Sequence, residues 1–203
     1  MRKIHIVDYG LGNLFSVISA IRKIEYKPVV VNSSTEVALA DFLVLPGVGA
    51  FRKGINAIAT LGFKEVILEH VQKGKPILGI CLGMQMLFDS SDENGFSGGL
   101  GLIPGHVKKI VDEHLGIKIP HIGWGALISV NGMLKSFIEQ QFMYFVHSYT
   151  SVTDSKYCVA KTDYHGFEIT SMVNKDNIWG CQFHPEKSGH QGLIVLKEIL
   201  RYC

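Results

Sequence analysis

The chain has 203 residues, 47% of them hydrophobic and only 19% charged, and 20 Lys plus Arg nearly balance 18 Asp plus Glu for a net charge of +2. A chain this long buries roughly 70% of its unfolded surface and needs no disulfide or metal staple, while 22 glycines with few charges fit buried strands and tight turns rather than disorder. The near-neutral balance leaves no electrostatic footprint for nucleic acid, and no run nears the ~18 consecutive apolar residues of a membrane helix.

The first residues, Met1-Arg2-Lys3-Ile4-His5-Ile6-Val7-Asp8, meet an acid too soon for a signal peptide. Cys81, Cys158, Cys181 and Cys203 are therefore expected as free thiols in a reducing cytosol. With no CxxC pair and no HExxH spacing, neither a metal nor a cofactor is expected.

Ile4–Val7 reads as a buried strand, and Leu14, Val17, Ile18, Ile21 and Ile24 then recur at helical spacing. Pro28–Val31 is a second strand, followed by turn and N-cap candidates at Asn32–Thr35. Phe42–Leu45 is a third, broken by Pro46-Gly47. A helix over Phe63–Val71 ends at Gly74, and Pro76–Ile80 is a fourth strand that leads into a helical Met84–Phe88. Strands alternating with helices imply right-handed crossovers and a mostly parallel sheet covered on both faces.

The second half carries strand-like runs at Val107–Val111, Gln141–Val146, Tyr157–Thr162, Phe167–Val173 and Ile178–Phe183, close enough together for antiparallel pairing. Helical spacing returns at Leu193, Ile194, Leu196, Ile199 and Leu200. No linker or repeat divides the chain, so a single α/β domain over residues 1–203 is expected, with an antiparallel strand set added to a parallel core.

Gly79-Ile80-Cys81-Leu82-Gly83 follows a strand and precedes a helix, which is the context of a nucleophile elbow. So sharp a turn brings the residues two before and two after the nucleophile together, and glycine at both places removes the colliding Cβ atoms. The sulfur is then lifted clear of the backbone at a helix N-terminus, where the dipole favours thiolate. A cysteine nucleophile needs a base and the base an orienting partner. His184-Pro185-Glu186 supplies both: in an extended segment residues two apart share a side, and Pro185 keeps it from turning helical. Acyl transfer also needs oxyanion donors. The N–H of Leu82 is one, and Pro46-Gly47-Val48-Gly49 offers a second from Val48 or Gly49. Gly10-Leu11-Gly12 begins like a dinucleotide fingerprint, but Phe15 holds the third glycine position, and no GxxxxGK loop exists.

GICLGMQ (Gly79 to Gln85) together with HPE (His184 to Glu186) resembles the class I, triad-type glutamine amidotransferases. The narrower likeness is to the glutaminase subunits of imidazole glycerol phosphate synthases. It rests on Val7-Asp8-Tyr9-Gly10, Leu45-Pro46-Gly47-Val48-Gly49-Ala50-Phe51, Pro120-His121-Ile122-Gly123-Trp124 and Phe145-Val146-His147-Ser148-Tyr149. The resemblance implies a flavodoxin-like core and hydrolysis of L-glutamine to glutamate and ammonia through a thioester on Cys81. It implies that Gln85 and the backbone at Ser148 and Tyr149 hold the substrate's amino and carboxylate groups. It also implies a heterodimer with a (β/α)₈-barrel cyclase that uses the ammonia in histidine biosynthesis, with Asn13 and Lys187 near the interface. A PGVG segment poorly arranged until that partner binds its own ligand, and hence low activity of the isolated chain, follow from the same likeness. Trp124-Gly125 and Tyr149-Thr150 depart from the family's usual continuation, which leaves open a paralogue serving amidation of a surface-polysaccharide sugar. A stand-alone cysteine hydrolase of γ-glutamyl compounds is the third reading.

Overall fold

The structure is a computed structural model that describes residues 2–110, 117–128 and 130–202. In chain order the elements run β1 (Lys3–Val7), α1 (Leu14–Lys23), β2 (Lys27–Val31), α2 (Ser34–Leu39), β3 (Leu43–Gly47), α3 (Phe51–Thr60), α4 (Phe63–Gln72), β4 (Ile77–Cys81) and α5 (Leu82–Met86). There follow β5 (Phe88–Ser91), β6 (Ser97–Gly98), β7 (Ile103–Lys109), β8 (His121–Ala126), α6 (Lys135–Ile138), β9 (Phe142–His147) and β10 (Tyr149–Val152). The chain ends with β11 (Cys158–Tyr164), β12 (Phe167–Lys175), β13 (Ile178–Cys181) and α7 (Gly189–Tyr202).

The main sheet has seven strands in the order β11-β12-β13-β4-β3-β1-β2. The strands from β13 to β2 are mutually parallel, and their order is the doubly wound, flavodoxin-like one. β3 and β4 are buried along their whole length, so they are apolar without alternation, as strands covered on both faces must be. Successive residues still divide between the faces. Phe42, Val44, Leu78 and Ile80 pack with Val17 and Ile21 of α1 and Val195, Leu196 and Ile199 of α7. Leu43, Leu45 and Ile77 pack with Val37, Ile58, Phe63 and Ile67 of α2–α4 on the other side.

Local signals account for the helix starts. Asn13 caps α1 through its side-chain oxygen, which accepts from Ser16 N–H at 3.3 Å. Ser33 caps α2, and Glu36 reaches back to the Asn32 N–H at 3.1 Å, closing a capping box shifted by one residue. Among the described residues no helix is long and apolar enough to cross a membrane.

Several expectations are corrected. The helical run assigned to Met84–Phe88 is α5 over Leu82–Met86, and Phe88 opens β5. The antiparallel reading of the second half holds for β8–β9, β7–β10, β11–β12 and β12–β13, but β13 lies parallel to β4 and β7 parallel to β5. β13 fills the last parallel position because its apolar run matches the buried centre of the sheet rather than an edge. α3 lies outside the elements expected from the sequence, although Phe51, Ile55 and Ile58 recur at helical spacing; β8 and β10 carry no clear periodic signal, and two glycines interrupt the alternation of β8. Val111, expected at a strand end, and Cys203 lie outside the described residues.

Register brings the chemistry to one edge. Gly47 is the partner of Cys81 across β3–β4, and Cys181 the partner of Ile80 across β13–β4. The PGVG segment, the elbow and His184 therefore leave neighbouring strands at the same carboxyl end, where open α/β sheets bind ligands. A Cβ on Gly83 would run into the Leu45 carbonyl of β3. Gly83→Ala is expected to cost at least ~2 kcal/mol in urea unfolding. Gly98→Ala, where a Cβ meets nothing within 4 Å, should change stability by less than ~0.5 kcal/mol.

Candidate active site

The step from β4 into α5 holds Cys81 at φ 54° and ψ −111°, a conformation that residues with side chains avoid. The glycines around it have distinct steric roles. A Cβ on Gly79 would lie 2.6 Å from the carbonyl oxygen of Gly83, as a tight elbow requires. Gly83 instead faces β3, so its glycine is demanded by the neighbouring strand rather than by Gly79. α5 is only five residues long, which weakens the dipole argument made from sequence; the charge facing the sulfur comes from a side chain.

That side chain is His184. Its Nδ1 lies 2.7 Å from Glu186 Oε1, and both side chains are 2% exposed. Because the carboxylate only accepts, Nδ1 carries the proton of this bond. Burial alone would lower the ring's pKa, but Cys81 and Glu186 outweigh it and raise the value to about 9. Nε2 is buried with no hydrogen bond of good geometry among the described residues, and it is the atom left for the sulfur. The His-Pro-Glu geometry differs from the extended one expected: Pro185 opens a 3-10 turn over Pro185–Lys187. Proline suits the first position of a helical turn, where its missing N–H is no loss.

Ser188, which sequence reasoning missed, locks this turn to β9. Its hydroxyl donates to the His184 carbonyl at 2.6 Å and accepts from the Tyr144 N–H at 2.9 Å. The His184 N–H in turn donates to the Tyr144 carbonyl at 2.9 Å.

Cys81 opens into a cavity of about 280 Å³, which Gly49, Gln85, Glu93, Ser148 and Tyr149 also line. Leu82 and Val48 border it as well. The Gln85 amide donates to the Tyr149 carbonyl at 3.1 Å and to Gln182 Oε1 at 2.9 Å. Its nitrogen is thereby consumed and its oxygen left as an acceptor. Gln182 Nε2 donates to Cys81 Sγ at 3.8 Å. Gln182 was missed, although a lone amide inside the apolar run Trp179–Phe183 is a signal of buried polar work. Glu93, in a loop with no periodicity, left no such signal. One of its oxygens accepts the Phe51 N–H at 2.7 Å and so caps α3.

The PGVG segment is pinned at its base by Tyr9, whose hydroxyl donates to the Pro46 carbonyl at 2.6 Å. A Cβ on Gly47 would collide with that hydroxyl. The Val48 N–H donates to the Leu11 carbonyl at 3.4 Å, so it is engaged away from the sulfur. Gly49 sits at φ +105°, where glycine alone is at ease. Of the remaining sequence candidates, Asn13 spends its side-chain oxygen on the cap of α1, and Lys187 is exposed beside Glu186. Among the described residues no three His, Cys, Asp or Glu side chains converge as metal ligands.

A family model described as glutamine amidotransferase class-I matches residues 5–199. Similar relatives include two proteins named imidazole glycerol phosphate synthase subunit HisH. One, from Geobacillus sp. (strain WCH70), is 41% identical over 96% of this chain and 94% of its own. The other, from Listeria innocua, is 44% identical over 98% of this chain and 96% of its own. Among solved structures, PurLQS from Thermotoga maritima superposes with a TM-score of 0.75 at 22% identity, covering 99% of this chain and 98% of that one. A glutamine amidotransferase from the same organism gives 0.60 at 17% identity, covering 99% and 84%. These two likenesses establish the fold.

Burial raises the thiol pKa of Cys158 and of Cys181, whereas Cys81 faces an imidazolium. Iodoacetamide at pH 7.5 should label Cys81 at least ~10-fold faster than either, with the sites read by peptide mass spectrometry. Since the folded pKa of His184 lies above the ordinary 6.5, its protonated ring stabilises the fold below about pH 6.5, and that contribution is lost as pH rises through about 9. The Tm advantage of the wild-type chain over Glu186→Gln should therefore shrink across that window.

Proposed function

The chain belongs to the class-I glutamine amidotransferase family, and from that premise we propose that it is the glutaminase subunit of an imidazole glycerol phosphate synthase. It hydrolyses L-glutamine to glutamate and ammonia and passes the ammonia to a cyclase partner in histidine biosynthesis. The observation that carries the chemistry is the buried His184–Glu186 pair beside a cysteine on a strained elbow.

The Cys81 thiolate adds to the side-chain amide carbon of glutamine, and the oxyanion meets the Leu82 N–H. The His184 imidazolium protonates the amide nitrogen, the C–N bond breaks, and ammonia leaves a γ-glutamyl thioester. Neutral His184 then takes a proton from water as it attacks the thioester, and the C–S bond breaks to release glutamate. Glu186 holds the ring in the tautomer that both steps need. The cavity of about 280 Å³ lies just below the roughly 300–1,000 Å³ range of small-molecule sites. That size supports a free amino acid over a peptide. Glu93 supplies the negative charge for the substrate's α-ammonium, beside the oxygen of Gln85 and the backbone at Ser148 and Tyr149.

Two features support a partner. Strand alternation turns Ile122 and Trp124 of β8 outward, 60% and 56% exposed, next to strand β9, whose Val146 and His147 line the cavity. The Val48 N–H is tied to the Leu11 carbonyl and is thereby withheld from the oxyanion. Rotation of the Gly47–Val48 peptide after the partner has bound frees that N–H as a second donor, and isolated activity stays low. The partner is a (β/α)₈-barrel cyclase in a cytoplasmic heterodimer, with Asn13 and Lys187 beside the contact. Each missing oxyanion donor costs roughly 10²–10³ in rate.

In the complex, Cys81→Ala should abolish glutamine-dependent synthesis while ammonium chloride still supports it, both followed by formation of imidazole glycerol phosphate. Glutamine-dependent turnover in that variant would overturn the assigned nucleophile. Glutaminase turnover of the isolated chain should rise at least ~10²-fold when the liganded partner is added.

A further inference from the structure

His121 and His147 belong to no step above, yet both are buried, at 2% and 6% exposed. They are cross-strand partners in β8 and β9. Their hydrogen bonds leave one arrangement of protons. His147 Nδ1 lies 2.8 Å from the Tyr149 carbonyl, which only accepts, so Nδ1 bears hydrogen. Nε2 of the neutral ring then has none and accepts from His121 Nδ1 at 3.3 Å.

The His121 ring is clamped in turn, stacked 4.0 Å from Tyr164 and 4.9 Å from Phe145 between ring centroids. Burial pushes His147 down to about 3 and His121 to about 4, so both rings stay neutral and the donor–acceptor order does not reverse at working pH.

The acceptor of this chain is what gives it meaning. The Tyr149 carbonyl receives the His147 N–H and the Gln85 amide, which uses both of its lone pairs. Gln85 is thereby fixed with its oxygen free, and its other hydrogen runs on to Gln182 and from there to Cys81. We propose that His147, held by His121, is a positioning residue for glutamine: it fixes the Tyr149 carbonyl, and through it the Gln85 amide and the Ser148–Tyr149 backbone that receive the substrate's α-groups. The proposal rests on the reading that Gln85, Ser148 and Tyr149 form the glutamine site.

Side-chain shape supplies a discriminating test. An asparagine amide places its nitrogen close to where imidazole Nδ1 stands, whereas a glutamine amide reaches toward Nε2. Steady-state glutaminase kinetics are measured in the complete complex with the partner's ligand bound, normalised to active complex by ammonium-dependent turnover. His147→Ala and His147→Gln should raise KM for glutamine roughly 5- to 100-fold, the range for a buried group that loses its hydrogen bond, with a smaller change in kcat. His147→Asn should bring KM back to within about 3-fold of wild type, a rescue that a merely space-filling role would not give.

Gln85→Ala separates the proposal from the reading beneath it. If Gln85→Ala raises KM and no His147 variant does, the positioning role fails and the glutamine site stands. If Gln85→Ala leaves KM unchanged, the assignment of the site fails and takes the proposal with it. Equal KM values for the Asn, Gln and Ala variants would also overturn it. Independently, ¹⁵N shifts of labelled His147 should show a neutral Nδ1–H tautomer from pH 5 to 9. An Nε2–H or cationic ring would overturn the assigned relay.

Discussion

The approach of Gly83 to the Leu45 carbonyl is the contact on which the site depends, because it lets α5 start against β3 with no side chain between them. A non-glycine residue held at positive φ outside the ordinary basins costs on the order of 1–3 kcal/mol, and Cys81 sits there only because its surroundings leave no relaxed alternative. β4 is hydrogen-bonded on both sides, to β3 and β13. Gly79 meets the Gly83 carbonyl, and Gly47 meets Tyr9 and Leu82. The strain of one residue is thus distributed over a close-packed sheet centre, which is the part of the molecule least able to yield. What the arrangement gains is a sulfur clear of its own backbone and next to the ends of two neighbouring strands.

Three buried histidines, His184, His147 and His121, show how placement decides charge. Burial opposes the cationic form in all of them. Only His184 has an anionic partner, and its pKa rises to about 9. His147 and His121 have a carbonyl and each other, and theirs fall to about 3 and about 4. One ring is therefore equipped to carry and deliver a proton, while the other two act as fixed donors. Distributing these roles through partners keeps the charged group next to the reacting atoms and leaves the supporting wall uncharged.

The sequence made the elbow, the HPE pair and the parallel core legible because each rests on local rules. Glycines flank a residue between a strand and a helix, apolar runs mark strands covered on both faces, and proline stops regular structure. Position-two spacing was the right reason to pair His184 with Glu186 only in outcome; the pair closes through a 3-10 turn. What stayed hidden depends on contacts distant in sequence. Glu93 caps α3 from 42 residues away, Gln85 meets Gln182 across 97, and Ser188 meets Tyr144 across 44. No periodicity encodes such pairings, and β8, with glycines at Gly123 and Gly125, does not advertise itself as a strand at all.

β8 also shows how a partner's presence can bear on the substrate pocket without touching it. Side chains alternate across a strand, so Ile122 and Trp124 face outward while His121 faces the protein. A protein seated on the outward face loads the same backbone that holds the His121–His147–Tyr149 chain. The oxyanion segment is separate: Val48 is tied to Leu11, in the loop after β1, and the Phe51 N–H that follows is tied to Glu93 at the cavity. Glu93 at the cavity and Leu11 in the loop after β1 thus hold the PGVG segment from its two ends. On the proposed reading, the wall around Gln85 and Tyr149 and the PGVG segment are two elements with different anchors, and a partner would act on the second to raise kcat and on the first to lower KM.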